Sequence, residues 1–346
     1  MSAVLASTNA DGFTAAPGLL PWRRSAFPID WPAVFGKSAP LHLEIGFGDG
    51  RYTVRRALDK PAATFVGLEI SSASIQRAWG KVERAGLGNV ALLKVGATFA
   101  VQNLFAPHIL SSVTVNFPDP WPKERHVKNR LLQDSFFELA ASRLLPGGTV
   151  RLATDHPDYL EFAVREAESS GLFAVHEAAP PAAVFETKYA LKWKGQGKPL
   201  YYRIFTYNGA ATRSFPVLER PTLMPHALLT GSLPADIVFE KQVLAYGGGH
   251  VILHEVAQSL GSDDVDRDAD QSSGQPEKWL VRATVDEPGL KQQLLVVVKR
   301  RSSGELIVRL ESFGDPIITK TVRGAVHGVT EWLLGLPGLR VQERNY

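Results

Sequence analysis

The chain has 346 residues, of which 45% are hydrophobic and 21% charged, and it contains no cysteine. This length predicts one large domain or two, and the lack of cysteine excludes a disulfide framework and a cysteine-based zinc site. No apolar run approaches the ~20 residues that a membrane span needs, and the first residues lack the pattern of a signal peptide. We therefore expect a soluble, cytoplasmic protein with no membrane partner.

The formal net charge of +3 hides a strong clustering of charge along the chain. Residues 187–203 contain five basic side chains and no acid, and residues 123–130 contain four basic side chains and one acid. Residues 263–270 carry five aspartates and one arginine. Clustered positive charge is what a phosphate-binding surface requires, so the two basic segments point to a nucleic-acid partner.

Strand-like and helix-like segments alternate over the first part of the chain. Residues 1–38 are rich in Pro, Ala and Ser, and we expect a loosely held arm there. Strands are predicted at 41–45, 64–70, 90–95, 112–117, 149–154 and 200–207, and helices at 51–58, 72–85, 128–145 and 159–171. Ser71 and Ser72 are candidate caps of the second helix. The alternation predicts an α/β domain over 39–214, with a mostly parallel sheet and helices on both faces.

The pattern changes after residue 214. Segments 236–246 and 250–260 flank three glycines and predict a hairpin, further strands are indicated near 278, 291 and 304, and a helix at 321–334. The acidic segment 261–274 predicts a disordered loop. His250 and His254 would face one side of a strand, but no further ligands accompany them, so we predict no metal site. A small α+β domain is expected over 215–346.

A glycine-rich segment, EIGFGDG, follows the first predicted strand at 44–50. Gly46, Gly48 and Gly50 allow a sharp turn and a close approach to a ligand, and open α/β sheets bind ligands beyond the carboxyl ends of their strands. A dinucleotide fingerprint would need glycine where Arg51 stands. The loop therefore argues against NAD and resembles the first motif of class I methyltransferases, which have a Rossmann-like sheet.

Two acidic residues accompany this loop, Glu44 before it and Glu69 at the end of the second strand. A carboxylate at the latter position can accept hydrogen bonds from both ribose hydroxyls. S-adenosylmethionine is a cation with a ribose and no phosphate, so a loop with carboxylates and little positive charge suits it. The alternative is a plain turn with two exposed strand ends; the occurrence of both features after consecutive strands favours the cofactor site.

A proline-rich strip, NFPDPWPKERH, follows the fourth predicted strand at 116–126. Its three prolines fix φ and stiffen the segment, and a stiff segment can position reacting groups. We expect Asp119 beside the cofactor pocket and the ring of Trp121 stacked on a base, with Lys123 opening the basic segment. The alternative is a structural turn followed by a solvated basic helix.

The glycine-rich segment and the proline-rich strip, taken together, resemble those of the bacterial tRNA (guanine-N7-)-methyltransferase family. The resemblance covers roughly residues 40–207 and does not cover 1–38 or 215–346. The segments that carry it are EIGFGDG, GLEIS at 67–71, NFPDPWPKERHVKNRL at 116–131, ATD at 153–155 and TKYALKW at 187–193.

The resemblance implies a function and a set of site residues. The expected reaction is methyl transfer from S-adenosylmethionine to N7 of a guanosine in the tRNA variable loop, with tRNA as the partner and no metal. The expected cofactor contacts, which include the glycine loop, are Glu44, Gly46, Gly48, Glu69, Gly96 and Asp119. The expected substrate contacts are Lys123, Asp155, Thr187, Lys188, Tyr189 and Ala190.

This chain departs from the family pattern at two positions. Gly96 stands where the family usually has Asp or Asn near the adenine, so adenine contacts must come from the backbone or from a neighbour such as Thr98. Ala190 stands at the last position of a segment that usually reads T-x-x-E. The detail of guanine recognition therefore differs here from the family pattern.

The chemistry needs little from the protein beyond alignment and charge. Guanine N7 has an in-plane lone pair and no proton, so methyl transfer is an in-line displacement without an obligatory base. A carboxylate near the purine stabilises the positive charge that arrives there, a role we assign to Asp119 as the catalytic residue. Asp155 is a candidate acceptor for the guanine edge, or alternatively a helix cap. Phosphate contacts are expected from Lys188, Lys192, Lys194 and Lys198, or these lysines form a solvated face.

Two other functions remain open from the sequence. One is a methyltransferase that acts on another RNA atom or on a protein amine, whose N-P-P-Y-like loops take the place of FPDPW. The other is a non-catalytic RNA-binding module that kept the fold. The intact cofactor loop together with Asp119 argues against the second.

Overall fold

The computed structural model describes residues 17–194, 198–219, 223–234, 237–259 and 278–346. The chain divides into two compact units, Met1–Leu218 and Glu219–Tyr346. The predicted acidic loop at 261–274 lies outside the described residues. Each unit has a sheet of its own.

The first unit is built on a sheet of eight described strands in the order β1-β4-β3-β2-β5-β6-β8-β7. The pairs from β1 to β6 are parallel, and β8 runs antiparallel to both β6 and β7. The strands are β1 (Gly18–Leu19), β2 (Leu41–Ile45), β3 (Thr64–Glu69), β4 (Val90–Lys94), β5 (Leu110–Asn116), β6 (Leu144–Thr154), β7 (Phe173–Glu177) and β8 (Tyr201–Tyr207).

The order of this sheet reverses between β2 and β5, because β3 and β4 lie on one side of β2 and β5 lies on the other. β2 and β5 are neighbouring parallel strands, and the connections that follow them lead towards opposite sides of the sheet. Open α/β sheets form a ligand crevice at the carboxyl ends of such a pair of strands. EIGFGDG follows β2, and the proline-rich strip follows β5. The fold thus brings the two segments singled out in the sequence to the same sheet edge.

Helices connect the strands of the first unit, and the predicted α/β class is confirmed. The α-helices are α1 (Trp31–Phe35), α2 (Arg51–Asp59), α3 (Ser72–Arg84), α4 (Ala97–Leu104), α5 (Asp134–Arg143), α6 (Pro157–Ser170), α7 (Ala182–Phe185) and α8 (Lys188–Lys194). Ser71 caps α3 by accepting a hydrogen bond from the Ser74 amide. The elements β1, α1, α4, α7, α8 and β7 were not predicted.

The helix expected at 128–145 is wrong at its start. Residues Glu124–Asn129 form a 3-10 helix, Arg130 is extended, and α5 begins only at Asp134. The carboxylate of Asp134 in the first turn of α5 interacts favourably with the positive end of the helix dipole. Gln133, the N-cap, has extended backbone angles. Apolar spacing alone extended the prediction past this break.

The loosely held arm expected at 1–38 is wrong for residues 17–38. Trp31 is 1% exposed, and its indole donates to the Leu104 carbonyl at 2.9 Å. Trp22 is buried as well and donates to the Lys94 carbonyl. Buried aromatic rings with satisfied N–H groups anchor this segment to the sheet and to α4; Pro and Ala content alone did not reveal them.

The second unit is an antiparallel sheet of seven described strands in the order β10-β11-β12-β13-β14-β9-β15. The elements are β9 (His226–Gly231), β10 (Gln242–Tyr246), β11 (Gly249–Gln258), β12 (Lys278–Glu287), β13 (Leu290–Arg300), β14 (Leu306–Leu310), α9 (Lys320–Leu334) and β15 (Leu339–Asn345). The β10–β11 hairpin is found, with a first strand shorter than expected. Alternate strand residues and one face of α9 form the core.

Candidate functional site

The glycine loop after β2 has the backbone that its sequence predicts. Gly46 and Gly48 have positive φ angles of 71° and 57°, and the space that a Cβ would enter at either residue is empty within 4 Å. At Gly50, by contrast, a Cβ would meet the Ala78 Cβ at 2.5 Å. Gly50 therefore lets the loop pack on α3, whereas the other two glycines leave room for a ligand.

Glu44 is buried directly under this loop. It is 6% exposed, and its carboxylate accepts hydrogen bonds from the Thr53 hydroxyl and, at 3.1 Å, from the Asn116 amide nitrogen. Burial raises the pKa of Glu44 to about 7, although these two hydrogen bonds act in the opposite direction. A cation bound nearby would favour the ionised form of this carboxylate, because opposite charges stabilise each other.

Glu69 holds the glycine loop in place. One carboxylate oxygen accepts from the Gly48 amide at 3.0 Å, and the other accepts from the amides of Ile70 and Ser71. The Glu69 carbonyl also accepts from the Val95 amide at 3.1 Å, so Gly96 follows at the same sheet edge. Glu69 therefore contacts the loop, and Gly96 follows at the same sheet edge, but neither residue lines the cleft next to the loop.

An open cleft lies between the glycine loop and the segment that begins α8. Six of the predicted site residues line it: Glu44, Gly46, Gly48, Thr187, Lys188 and Tyr189. Asn116 and Phe117 line it as well, and the ring of Phe117 lies 6.2 Å from that of Tyr189. A segment predicted to bind substrate and a loop predicted to bind cofactor therefore share one cavity.

Asn116 is a candidate binding residue that the sequence did not single out. Its side chain is buried at 8% exposure; its nitrogen donates to Glu44, and its oxygen has no hydrogen-bond partner. A buried acceptor without a partner costs about 1–3 kcal/mol, so its place in the cleft fits a ligand donor there. The signal available in the sequence was its position at the end of β5, directly before the proline-rich strip.

The proline-rich strip lies beside the cleft, and its members differ from one another. Asp119 and Lys123 are exposed and do not line the cleft. Trp121 does not line it either: its ring packs edge-on against His126, with 5.7 Å between centroids. Four aromatic residues are among those that line the cleft: Phe47, Tyr52, Phe117 and Tyr189.

Thr187 and Ala190 lie at the start of α8, and Asp155 directly follows β6. Thr187 is buried, and its hydroxyl accepts from the Ala190 amide at 3.2 Å, so Thr187 starts the helix and Ala190 points into the core at 5% exposure. Asp155 is partly exposed and forms an ion pair with Lys198 at 3.7 Å. The helix cap after β6 is His156 and not Asp155.

The two basic segments differ from each other in the exposure of their cations. Lys188 and Lys192 are exposed, and the side chain of Lys194 lies outside the described part of the chain. In the other segment Arg130 is 7% exposed, so this member of the charge cluster is not available to phosphates. Within the described residues no group of three His, Asp or Glu is arranged to hold a metal ion.

The described helices include none that is both long and apolar enough to cross a membrane.

Comparison with known proteins gives consistent matches. The family model Methyltransf_4, described as "Putative methyltransferase", matches residues 38–202. A tRNA (guanine-N(7)-)-methyltransferase of Thermus thermophilus is 39% identical over 91% of this chain and 96% of its own length. One of Deinococcus radiodurans is 40% identical, covering 89% and 92% respectively. A solved structure titled "Structure of an Antibiotic Related Methyltransferase" is 19% identical, covers 50% of this chain and 90% of its own, and has a TM-score of 0.39.

Proposed function

The chain belongs to the tRNA (guanine-N(7)-)-methyltransferase family, and from this we propose that it transfers a methyl group from S-adenosylmethionine to N7 of a guanosine in the tRNA variable loop. One observation carries the proposal. The cleft that is lined by Glu44, Gly46 and Gly48 is also lined by Thr187, Lys188 and Tyr189. Donor and acceptor sites that share one cavity are the minimum for direct transfer.

The residues on the donor side fit S-adenosylmethionine. This donor supplies an electrophilic methyl group on a positively charged sulfur when it is bound. Glu44 offers a buried carboxyl group that a bound cation would ionise, Gly46 and Gly48 offer open backbone, and Asn116 offers an acceptor oxygen without a hydrogen-bond partner. We assign Glu69 to the ribose hydroxyls and Gly96 to the adenine region, because both follow strands that end beside the loop.

The residues on the acceptor side orient a purine and stabilise its charge. The N7 lone pair forms the new bond to the methyl carbon while the carbon–sulfur bond breaks, and no proton has to leave. Asp119 compensates the positive charge on the purine, and Asp155 accepts from the guanine edge. Thr187, Lys188, Tyr189 and the backbone of Ala190 form the wall that receives the base, and Lys123 contacts the adjacent phosphate.

The tRNA body is held through the basic segment at 187–203. We propose that Lys188, Lys192, Lys194 and Lys198 contact phosphates, which release counterions on binding. If all four do so, the logarithm of the binding constant falls with the logarithm of salt concentration with a slope of about −3 to −4. A variant with all four lysines changed to alanine should lose this slope, and an unchanged slope would exclude the assignment.

The test of the function is direct. The full-length protein is incubated with S-adenosylmethionine and tRNA that lacks 7-methylguanosine, and the nucleosides are then identified by mass spectrometry. We expect 7-methylguanosine at one position of the variable loop, and a tRNA whose guanosine there is replaced by adenosine should accept no methyl group. Methylation of another atom, or of protein alone, would contradict the proposal, as would failure to bind S-adenosylmethionine at all.

A further inference from the structure

One cation of the basic segment at 123–130 has a different environment from the others. Lys123, Arg125 and Lys128 are exposed, as a phosphate-binding surface requires, whereas Arg130 is 7% exposed. A charged side chain is rarely this buried unless its hydrogen bonds and its charge are compensated. The contacts of Arg130 therefore indicate what it does.

The guanidinium of Arg130 faces the proline-rich strip. Its Nε donates to the Pro120 carbonyl at 2.9 Å, and one terminal nitrogen donates to the Trp121 carbonyl at 3.4 Å. The other faces of the group are covered by aromatic rings of α6: its central carbon lies 4.8 Å from the ring centroid of Phe162 and 5.6 Å from that of Tyr159. Carbonyl oxygens and ring faces both stabilise a buried cation.

The strip needs such a contact because it has few of its own. Pro118, Pro120 and Pro122 have no N–H group to donate, and residues 118–122 make no backbone–backbone hydrogen bond in the described structure. Trp121 also has a φ of 42°, a left-handed conformation that is strained for a non-glycine residue and persists only where the surroundings hold it.

We propose that Arg130 is a positioning residue for methyl transfer. It binds the carbonyls of Pro120 and Trp121 and so fixes the strip on which Asp119 stands, and it does not bind tRNA phosphate. Asp119 directly precedes Pro120, so its carboxylate moves when the strip moves. This inference rests on the proposed function, because it is the transfer step that the strip serves.

The test compares conservative variants of Arg130 with a matched control. Arg130→Lys keeps the charge but cannot donate to both carbonyls, and Arg130→Met keeps the length without donors. The control is Arg165→Lys, because Arg165 covers the same Phe162 ring at 5.6 Å, is 70% exposed and does not contact the strip. Each variant is assayed for kcat and KM with tRNA, for affinity to S-adenosylhomocysteine, and for the salt dependence of tRNA binding.

We expect kcat to fall on the order of 10-fold for Arg130→Lys and 10²-fold for Arg130→Met, since a small misplacement of a reacting group has effects of this size. KM, the salt slope and the affinity for S-adenosylhomocysteine should change by less than 3-fold or not at all, and the control should match the wild type. A phosphate contact would instead raise KM at constant kcat and reduce the salt slope by about 1, which would overturn the proposal. Wild-type kcat in Arg130→Lys, with S-adenosylhomocysteine bound normally, would overturn it too.

A further readout separates this inference from the proposed function. The protein is labelled with 5-fluorotryptophan, and the Trp121 signal in the fluorine NMR spectrum is identified by its loss in Trp121→Phe. In Arg130→Lys this signal should shift or broaden, whereas the signals of Trp22 and Trp31 should stay in place. An unmoved Trp121 signal would contradict the positioning role, even if the wild-type protein proved to methylate a different substrate. If Arg130→Met fails to fold, the two measurements on Arg130→Lys decide the question.

Discussion

The two units of the chain differ in what they bury. The first buries charged side chains, namely Glu44, Arg130 and Arg143, whereas the buried polar residues described in the second are neutral: Thr284, Gln292, Thr319, Thr321 and Thr330. The first unit also contains three of the four non-glycine residues with positive φ among those described: His108, Phe117 and Trp121. Buried charge and local strain both reduce stability.

This difference separates the tasks of the two units. We interpret the cost of burying Glu44 and of the strained strip after β5 as the requirement of the site that we propose in this unit. In the second unit a sheet and one helix bury apolar residues such as Val296 and Leu333 with almost no exposure, which is the arrangement that favours stability. Chemistry is therefore expected in the first unit, and changes to the second should act on stability.

The largest expected effect tests the second unit. Leu333 is 1% exposed in the cluster between α9 and the sheet, so Leu333→Ala should lower the free energy of unfolding of this unit by about 2–5 kcal/mol. Hydrogen exchange of amides in β12 and β13 measures this loss. Affinity for S-adenosylhomocysteine should stay unchanged at a temperature where both units are folded, and a loss of 10-fold or more would break the separation of tasks.

The next effect tests the strip in the first unit. Asp119→Ala removes the charge that we assign to transition-state stabilisation, so the rate of methyl transfer in a single turnover should fall by about 10²–10³-fold. Unfolding should hardly change, because Asp119 is exposed. Asp119→Asn serves as the control for shape. Near-normal rates in both Asp119→Ala and Asp155→Ala, with tRNA still bound, would refute the assignment of the two carboxylates.

The buried charge of Glu44 predicts a dependence on pH. Because its folded pKa is raised to about 7, the protonated form is favoured in the folded state, and the free energy of unfolding should fall as pH rises from about 4.5 to about 7, by roughly 3 kcal/mol. Glu44→Gln should remove this part of the pH dependence in thermal unfolding without ligand.

Ionisation of Glu44, which lowers the free energy of unfolding, should raise the affinity for a cationic ligand. Affinity for the cationic S-adenosylmethionine should rise with pH through about 7, as Glu44 becomes charged, and Glu44→Gln should abolish the rise. Titrations at several pH values measure this. An equal rise in the variant would show that another group is responsible.

The smallest effect compares one helix cap in each unit. Ser71 caps α3, and Thr319 caps α9 by accepting from the Val322 amide at 3.1 Å. Replacement of either by alanine should cost about 1 kcal/mol. Ser71→Ala keeps the amide that donates to Glu69 but loosens the start of α3 on which that amide stands, so it should also weaken cofactor binding slightly, whereas Thr319→Ala should not. Equal effects of both changes on cofactor affinity would contradict the comparison.

Local sequence predicted the central elements well, for physical reasons. The strands β2 to β5 are short apolar runs bounded by turn residues, and Ser71 provides a side-chain cap, so the signals are local. The break between 130 and 134 was missed because the apolar spacing of a helix continues across it. Buried Trp22 and Trp31 were missed because their partners lie about 70 residues further along the chain.

For the site, sequence order determined that the glycine loop, Glu69 and the strip stand at the carboxyl ends of the first, second and fourth predicted strands, and parallel strands bring such ends to one edge. It did not determine which side chains face the cleft: Asn116 and Phe117 do, whereas Trp121 packs on His126.

The sequence by itself determined the α/β class, the glycine loop with its acidic residues and the clusters of basic charge, because each of these is a property of neighbouring residues. Only the tertiary structure decided that Arg130 is buried against the strip while Lys123 and Arg125 are exposed, and that Glu44 is paired with Asn116 at a distance of 72 residues in sequence. Burial and side-chain direction depend on how distant elements pack, and a run of residue types carries no record of that packing.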